Sequence, residues 1–149
     1  VYKRQDYENK VYVADFFFTT CPSICPIMTK NMFSLQEKLK TKYPEVKLLS
    51  YSVTPEIDTI EQLKRYAIEN KVDDKIWNLV TGDKKKIYTL ARKSYLVVQN
   101  DGNGGPHDMI HTENFVLIDK ENRIRGYYDG TDINEMDRLI TEIGMLKND

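Results

Sequence analysis

The stretch VADFFFTTCPSICPIMTKNM, residues 13–32, contains the features that decide the fold. It begins within the run VYVADFFF (11–18), whose apolar and aromatic residues occupy both faces of a strand, as is typical of a central strand. The only two cysteines of the chain follow, Cys21 and Cys25, each with a proline after it, and then a helical pattern. A buried strand that leads into a helix predicts a β-α unit with both cysteines at its turn.

The rest of the chain continues this alternation and predicts the order β-α-β-α-β-α-β-β-α. Parallel βαβ units that end in an antiparallel hairpin indicate an α/β protein with a thioredoxin-like fold, in which helices flank a central mixed sheet. We expect a single domain over 1–149. The later strands are predicted at 46–53, at 75–82 and in a hairpin at 113–130. The first helix is predicted to end near Lys42, the second to begin at Asp58 or Thr59, and the third to begin at Asp83. The fourth helix is predicted over 131–146.

Composition excludes several classes of function. The 149 residues are 40% hydrophobic and 30% charged with a net charge of −1, so no basic excess exists to attract nucleic acid or an anionic membrane. No apolar run approaches the ~20 residues that span a bilayer. Because the sequence has neither an initiator Met nor a signal peptide, we expect a trimmed N-terminus that once carried a targeting or anchoring segment.

Both cysteines are predicted to occupy a reactive position. Cys21 follows the carboxyl end of a buried strand, where open α/β sheets bind ligands, and Cys25 falls in the first helical turn, which favours thiolate. A purely structural disulfide is the weaker interpretation, because so short a loop gains little entropic stabilisation. The spacing is one residue longer than the Cys-x-x-Cys of disulfide exchange, and it leaves a redox couple and a metal clamp equally open.

A metal clamp needs a further ligand, and the chain has two histidines. His111 lies just before a predicted strand, whereas His107 follows Gly104, Gly105 and Pro106 in the long glycine-rich stretch 99–112. Two thiolates with one imidazole form a soft donor set that suits Cu(I) and accepts Cu(II). A zinc site with His107 as fourth ligand is the alternative.

Three segments carry a resemblance to a known family. DFFFTTCPSICPIMTKNM closely resembles the F-x-F-T-x-C-P-x-x-C-P segment of the SCO/SenC family, copper proteins of cytochrome oxidase assembly. SVTPEIDT resembles that family's S-V-D-P-E-x-D-T segment, with Thr54 where the family usually has Asp. IHTENFVLIDKENRIRGYYDG resembles its histidine followed by a strand, an acidic turn and a second strand. The matches occur in the family's order over nearly the whole chain.

The resemblance implies a copper site of Cys21, Cys25 and His111 in a thioredoxin-like fold. It further implies a metallochaperone that delivers copper to the CuA centre of cytochrome c oxidase subunit II, with other copper chaperones as possible partners. We expect the protein to be extracytoplasmic, on the periplasmic side, and to meet the membrane only through the missing anchor.

The alternative is a thiol–disulfide oxidoreductase in which Cys21 and Cys25 reduce the CuA-ligand cysteines of the partner. Thioredoxin-type enzymes normally carry a proline just before the strand that faces their cysteines. Here that region reads IHTENFV, without a proline, and this favours the copper hypothesis.

Overall fold

A computed structural model describes residues 7, 9–19, 24–95, 102, 105 and 112–147, without the side chains of Ile24, Cys25 and Lys147. The elements in these residues follow the predicted order. They are β1 Tyr12–Phe17, α1 Ile24–Lys42, β2 Lys47–Ser52, α2 Ile60–Glu69, β3 Trp77–Val80, α3 Lys84–Thr89, β4 Asn114–Ile118, β5 Ile124–Asp129 and α4 Ile133–Lys147. A π-helical turn, Leu90–Ser94, continues α3.

The five strands form one mixed sheet in the order β3-β2-β1-β4-β5. β1 pairs in parallel with β2, and β2 pairs in parallel with β3. β4 is antiparallel both to β1 and to β5. All six residues of the central strand β1 are buried, which confirms the interpretation of its two-sided apolar pattern.

Helices cover both faces of the sheet, as predicted for this fold class. On one face, Val13 and Leu48 share a core with residues of α1 and α4. On the other face, Ala14 and Phe16 share a core with residues of α3 and the π-helical turn. The fully buried residues on the first face include Met28, Met32, Leu35, Leu39, Met136, Leu139 and Ile143.

Two helices begin at their predicted positions, each with a capping side chain. Thr59 is the N-cap of α2, and its hydroxyl accepts a hydrogen bond from the Gln62 backbone N at 3.2 Å. The Asp83 carboxylate caps α3 by accepting from the Lys85 N at 3.0 Å. Such caps typically stabilise by about 1 kcal/mol. Asp58, the other candidate cap for α2, is instead buried in a hydrogen-bond cluster.

None of the helices in the described ranges is both long and apolar enough to cross a membrane.

Candidate metal centre

The strand ends that adjoin the predicted ligands in the sequence lie at one edge of the sheet. β1 and β2 run parallel and end together, with Phe17 opposite Ser52 and the Val53 N donating to the Phe17 O at 2.8 Å. β4 runs the other way against β1, from Tyr12–Ile118 to Ala14–Val116, so its first residues lie toward the carboxyl end of β1. The turns that leave β1 and β2 and the chain that enters β4 therefore lie at the same edge.

In the sequence, Cys21 and Cys25 follow β1 and His111 precedes β4. Cys25 is the second residue of α1 and lies in its first turn, as expected, although its side chain is not described. Cys21, His107 and His111 lie outside the described residues. Their ligand roles therefore stay a prediction, and the geometry of the site rests on the residues that flank them.

A buried carboxylate joins the turn after β1 to the turn after β2. Asp58 is completely buried and accepts hydrogen bonds from the Ser52 hydroxyl at 2.7 Å and the Thr54 hydroxyl at 3.1 Å. It also accepts from the backbone N of Thr19 at 3.3 Å and from the Thr19 hydroxyl. The four donors among the described residues are all neutral. Thr54, which stands where the SCO/SenC pattern usually has Asp, thus serves here as a donor to Asp58.

Further hydrogen bonds fix the same cluster. The Gln62 side chain, in α2, donates to the Thr19 hydroxyl at 3.2 Å. The Thr54 N donates to the Ser52 hydroxyl at 3.1 Å, and the Asp58 N donates to the Thr54 O at 2.8 Å. Thr54 and Asp58, at the two ends of this loop, are therefore hydrogen-bonded to each other. The Asp58 carboxylate faces Thr19, which lies two residues before Cys21 in the sequence.

A second buried acid lies deeper in the sheet. Asp15, in the middle of β1, accepts a hydrogen bond from the Ser50 hydroxyl, which in turn accepts from Trp77 Nε1 at 3.0 Å. Burial raises the pKa of Asp15 to about 7, against the opposing effect of the Ser50 hydrogen bond. Sequence reasoning missed this group, although a lone acid inside the run VYVADFFF was the available signal.

Buried tyrosines hold the start of the segment that leads to His111. Tyr95, the last described residue before 96–101, has its hydroxyl 3.0 Å from that of Tyr12 and 3.1 Å from that of Tyr51. The Tyr127 hydroxyl donates to the Tyr95 O at 2.8 Å. Burial, with the neighbouring tyrosines, raises the pKa of Tyr95, so its hydroxyl stays protonated. The segment 96–111 thus starts from a fixed residue.

Gly130 fixes the described residues that follow this segment in the sequence. The Gly130 N donates to the Glu113 O at 2.7 Å, and the Gly130 O accepts from the Asn31 side chain at 2.8 Å. Glu113 follows His111 by two residues, and Asn31 belongs to α1, the helix that carries Cys25. The start of β4 is thereby tied to α1.

Fold and site together define a class. The chain is an α/β protein with a thioredoxin-like fold, and the described residues that flank two cysteines and a histidine in the sequence lie at one edge of the sheet. A family model described as SCO1/SenC matches residues 1–147, nearly the whole chain. The protein therefore belongs to the SCO1/SenC family.

Individual relatives agree with this assignment. The SCO1 protein homolog of Bacillus subtilis (strain 168) is 33% identical over 137 residues, which cover 91% of this chain and 70% of that protein. A solved structure of BsSco, "a member of the Sco family of cytochrome c oxidase assembly proteins", has a TM-score of 0.79 at 31% identity and covers 95% of this chain and 82% of its own. That structure is described in terms of a disulfide switch.

Two further structures extend the comparison. A SCO1/SenC family lipoprotein from Bacillus anthracis str. Ames has a TM-score of 0.72 at 34% identity, with coverage of 91% of this chain and 84% of its own. ScoI of Arabidopsis thaliana, solved with copper bound, has a TM-score of 0.72 at 24% identity, with coverage of 95% and 88%. At that identity the second likeness supports the fold.

Proposed function

We propose that this protein is a copper-binding metallochaperone that delivers copper to the CuA centre of cytochrome c oxidase subunit II. One observation carries the proposal: the antiparallel pairing of β4 with β1 directs the chain that enters β4 toward the turn after β1. Cys21, Cys25 and His111, which flank or begin those segments, would supply two thiolates and one imidazole. This soft donor set fits copper.

The relatives support the proposal. BsSco belongs to a family of oxidase assembly proteins, and the Arabidopsis thaliana ScoI structure contains copper. The match of the family model to residues 1–147 supports the expectation that 1–149 acts as one domain.

Copper is the cargo in this proposal, and it would leave by ligand exchange. Three ligands leave a coordination position at which a partner's cysteine can enter, whereas a closed four-ligand site holds its metal structurally. His111 would be the first ligand replaced, because a neutral imidazole binds Cu(I) less strongly than the two thiolates. Each bond from copper to a protein sulfur would then be replaced by a bond to a partner ligand, and the protein would return to its metal-free form.

Copper titration of the fully reduced protein tests this function. We expect about one copper per chain, with a thiolate-to-Cu(II) charge-transfer band in the visible spectrum. Cys21→Ala, Cys25→Ala and His111→Ala should each lose the band and most of the affinity. His107→Ala is the matched control and should behave as the wild type. Unchanged affinity and spectrum in His111→Ala would overturn the ligand assignment, and zinc loading that depends on His107 would favour a structural zinc site.

A second candidate function is the reduction of the partner's CuA-ligand cysteines. The disulfide switch described for BsSco favours it, as does the place of Cys25 in the first turn of α1. In this reaction the Cys21–Cys25 dithiol would transfer two electrons and two protons to a partner disulfide. The chain would leave as the Cys21–Cys25 disulfide and the partner as a dithiol.

The variant His111→Ala distinguishes copper delivery from thiol reduction. Metal-free, reduced protein would be mixed with the oxidised CuA-bearing domain, and partner thiols would be counted over time. If reduction is the principal role, His111→Ala should keep the activity, whereas Cys25→Ser should lose it. An activity that needs copper and His111 would exclude this role.

The proposed location is extracytoplasmic, on the periplasmic side of the membrane, with attachment through an anchor. The description of the Bacillus anthracis relative as a lipoprotein supports it.

A further inference from the structure

We propose that the outer side of α3 and its π-helical turn is a docking surface for the anionic phospholipid headgroups of a membrane. This basic face consists of Lys84, Lys85, Lys86, Arg92 and Lys93, which all lie within the described ranges. The inference rests on the proposed location beside a membrane. It goes beyond copper delivery, because none of the predicted metal ligands takes part in it.

Charge is distributed unevenly along the chain. The segment 83–95 contains five cations and one acid, Asp83, whereas the whole chain has a net charge of −1. The Asp83 carboxylate is engaged at the helix start, where it accepts from the Lys85 N. Charges in solution interact mainly within a Debye length of ~10 Å. A chain without overall basic character can therefore still attract an anionic surface through this one face.

The three consecutive lysines of the basic face occupy the first positions of α3, where they do not stabilise the helix. The N-terminus of a helix carries a partial positive charge, which favours acids and disfavours cations. The first turn of α3 nevertheless contains no acid. Arg92 and Lys93 suit the C-terminal end of the helical segment, but the three lysines at its start conflict with local stability. Such conflicts are expected mainly at functional sites.

Tyr88 fixes the orientation of the basic face. This residue is 1% exposed, and its hydroxyl donates to the Val53 O at 2.7 Å. The Lys84 Nζ lies 5.1 Å and the Arg92 Cζ lies 5.7 Å from the centre of its ring. These cation–π contacts hold both side chains over the buried ring. The core therefore determines which side of the helix faces outward.

The other three cations are presented to solvent. Lys85, Lys86 and Lys93 are all exposed. None of the ion pairs within the described ranges involves them. Lys93 follows the two other lysines by seven and eight residues, which is close to two helical turns. The three positive charges therefore lie on the same side of the helical segment.

The chemistry of the basic face favours headgroups over an acidic protein. Protein interfaces are enriched in aromatic residues, Met and Arg, and they are depleted in Lys. Four of the five cations here are lysines, and no large apolar residue is exposed within 83–95, a segment that the structure describes throughout. A lysine carries a point charge on a flexible stem, which can follow mobile headgroups. The face therefore suits contact with a bilayer surface without insertion.

Vesicle binding of the metal-free protein tests the proposal. The probes are vesicles of phosphatidylcholine alone and of an equal mixture with phosphatidylglycerol, and cosedimentation measures the bound protein. We expect the chain to bind the anionic vesicles only, and to lose this binding as salt is added. The triple variant Lys85→Gln, Lys86→Gln and Lys93→Gln should bind on the order of 100-fold more weakly, since each lysine near an anionic surface contributes about fivefold.

The matched control combines Lys30→Gln, Lys42→Gln and Lys64→Gln. These lysines are also exposed, but they belong to α1 and α2, on the opposite side of the sheet from α3. The control removes the same charge and should bind the vesicles as the wild type does. Equal losses in the two triple variants would show that total charge alone drives binding, and would overturn the assignment of the face.

Two further outcomes would overturn the proposal. One is a wild-type protein that does not bind the anionic vesicles at low salt. The other is a preference for a polyglutamate resin over those vesicles, because the face would then suit an acidic protein. Failure of the copper titration is a separate result, since a protein that binds no copper can still bind the vesicles through this face.

Discussion

Gly130 connects three elements through a single residue. Its N–H binds the chain just before β4, its carbonyl binds Asn31 of α1, and it directly follows β5. A Cβ atom at this position would lie 2.5 Å from Cε1 of Phe115 and 2.9 Å from the Glu113 O. Both distances are far below van der Waals contact, so the residue must lack a side chain.

Gly130→Ala should consequently destabilise the protein by about 1–3 kcal/mol, the usual cost of overpacking a core. Urea unfolding measures this cost directly. Gly82→Ala is the control, because a Cβ atom there meets nothing within 4 Å. Copper affinity should also fall in Gly130→Ala, since the displaced Glu113 O lies two residues after His111. Equal stability of the two variants would contradict the account.

The sequence was informative about which residues could be metal ligands, but not about the hydrogen bonds around the candidate site. The spacing of Cys21 and Cys25 and the motif around His111 led to a predicted donor set, which stays a prediction. The partner of Asp58 could not be predicted, because Thr19 and Asp58 are distant in the sequence and meet only when β1 pairs with β2. Asp58 next to Thr59 was equally compatible with a helix cap, and only burial distinguishes the two roles.

At the scale of elements, the local hydrophobic pattern predicted the helices and strands wherever one face of a helix or both faces of a strand are buried. The last helix illustrates the limit. Its sequence predicts one apolar face, formed by Ile133, Met136, Leu139, Ile140 and Ile143. The last four of these residues are buried, but Ile133 is 49% exposed because it opens the helix at the rim of the core. A periodic pattern therefore locates the core-facing stripe more reliably than its ends.

The helix that opens at Asp83 shows a second limit. Its sequence predicts an apolar stripe of Ile87, Leu90 and Ala91. Ile87 and Ala91 are buried and Leu90 is partly buried, yet regular α-helix ends at Thr89 and a π-helical turn follows. The widened turn brings Tyr95 N to Leu90 O at 2.7 Å. A π-helical turn contains one extra residue, and this changes the spacing of apolar residues too little to be detected in so short a segment.

The pairing of whole strands was predictable only in part. A short turn between β4 and β5 predicted their hairpin. The contact of β4 with β1 joins residues more than 100 positions apart, and the local pattern did not predict it. That contact is the one on which the candidate site depends.

At the scale of the molecule, the packing of both layers around β1 determines the behaviour of Asp15. Burial raises its pKa from the ordinary 3.8 to about 7. At pH values between these two pKa values, Asp15 keeps its proton in the folded protein and releases it in the unfolded chain. The free energy of unfolding therefore decreases as the pH rises from about 4 to about 7, and this contribution amounts to a few kcal/mol.

Asp15→Asn should remove this dependence, because the amide stays neutral at every pH and still accepts from Ser50. We expect the variant to gain stability relative to the wild type as the pH rises from 5 to 8. Chemical unfolding at several pH values, followed by circular dichroism, measures the difference. Asp119→Asn should show no such gain, since its hydrogen bonds with Arg123 and Arg125 hold the pKa of that carboxyl below its usual value. Parallel stability curves for Asp15→Asn and the wild type would contradict the assignment.

The hydrogen bond from Trp77 to Ser50 gives the molecule an optical reporter. Trp77 is the only tryptophan of the chain, it is 1% exposed, and its indole N–H is two hydrogen bonds from the Asp15 carboxyl. Ionisation of Asp15 would place a charge at the end of that short relay and shift the emission of the indole. Intrinsic fluorescence can thus follow the proton on a strand inside the intact fold, without a label and without unfolding the chain.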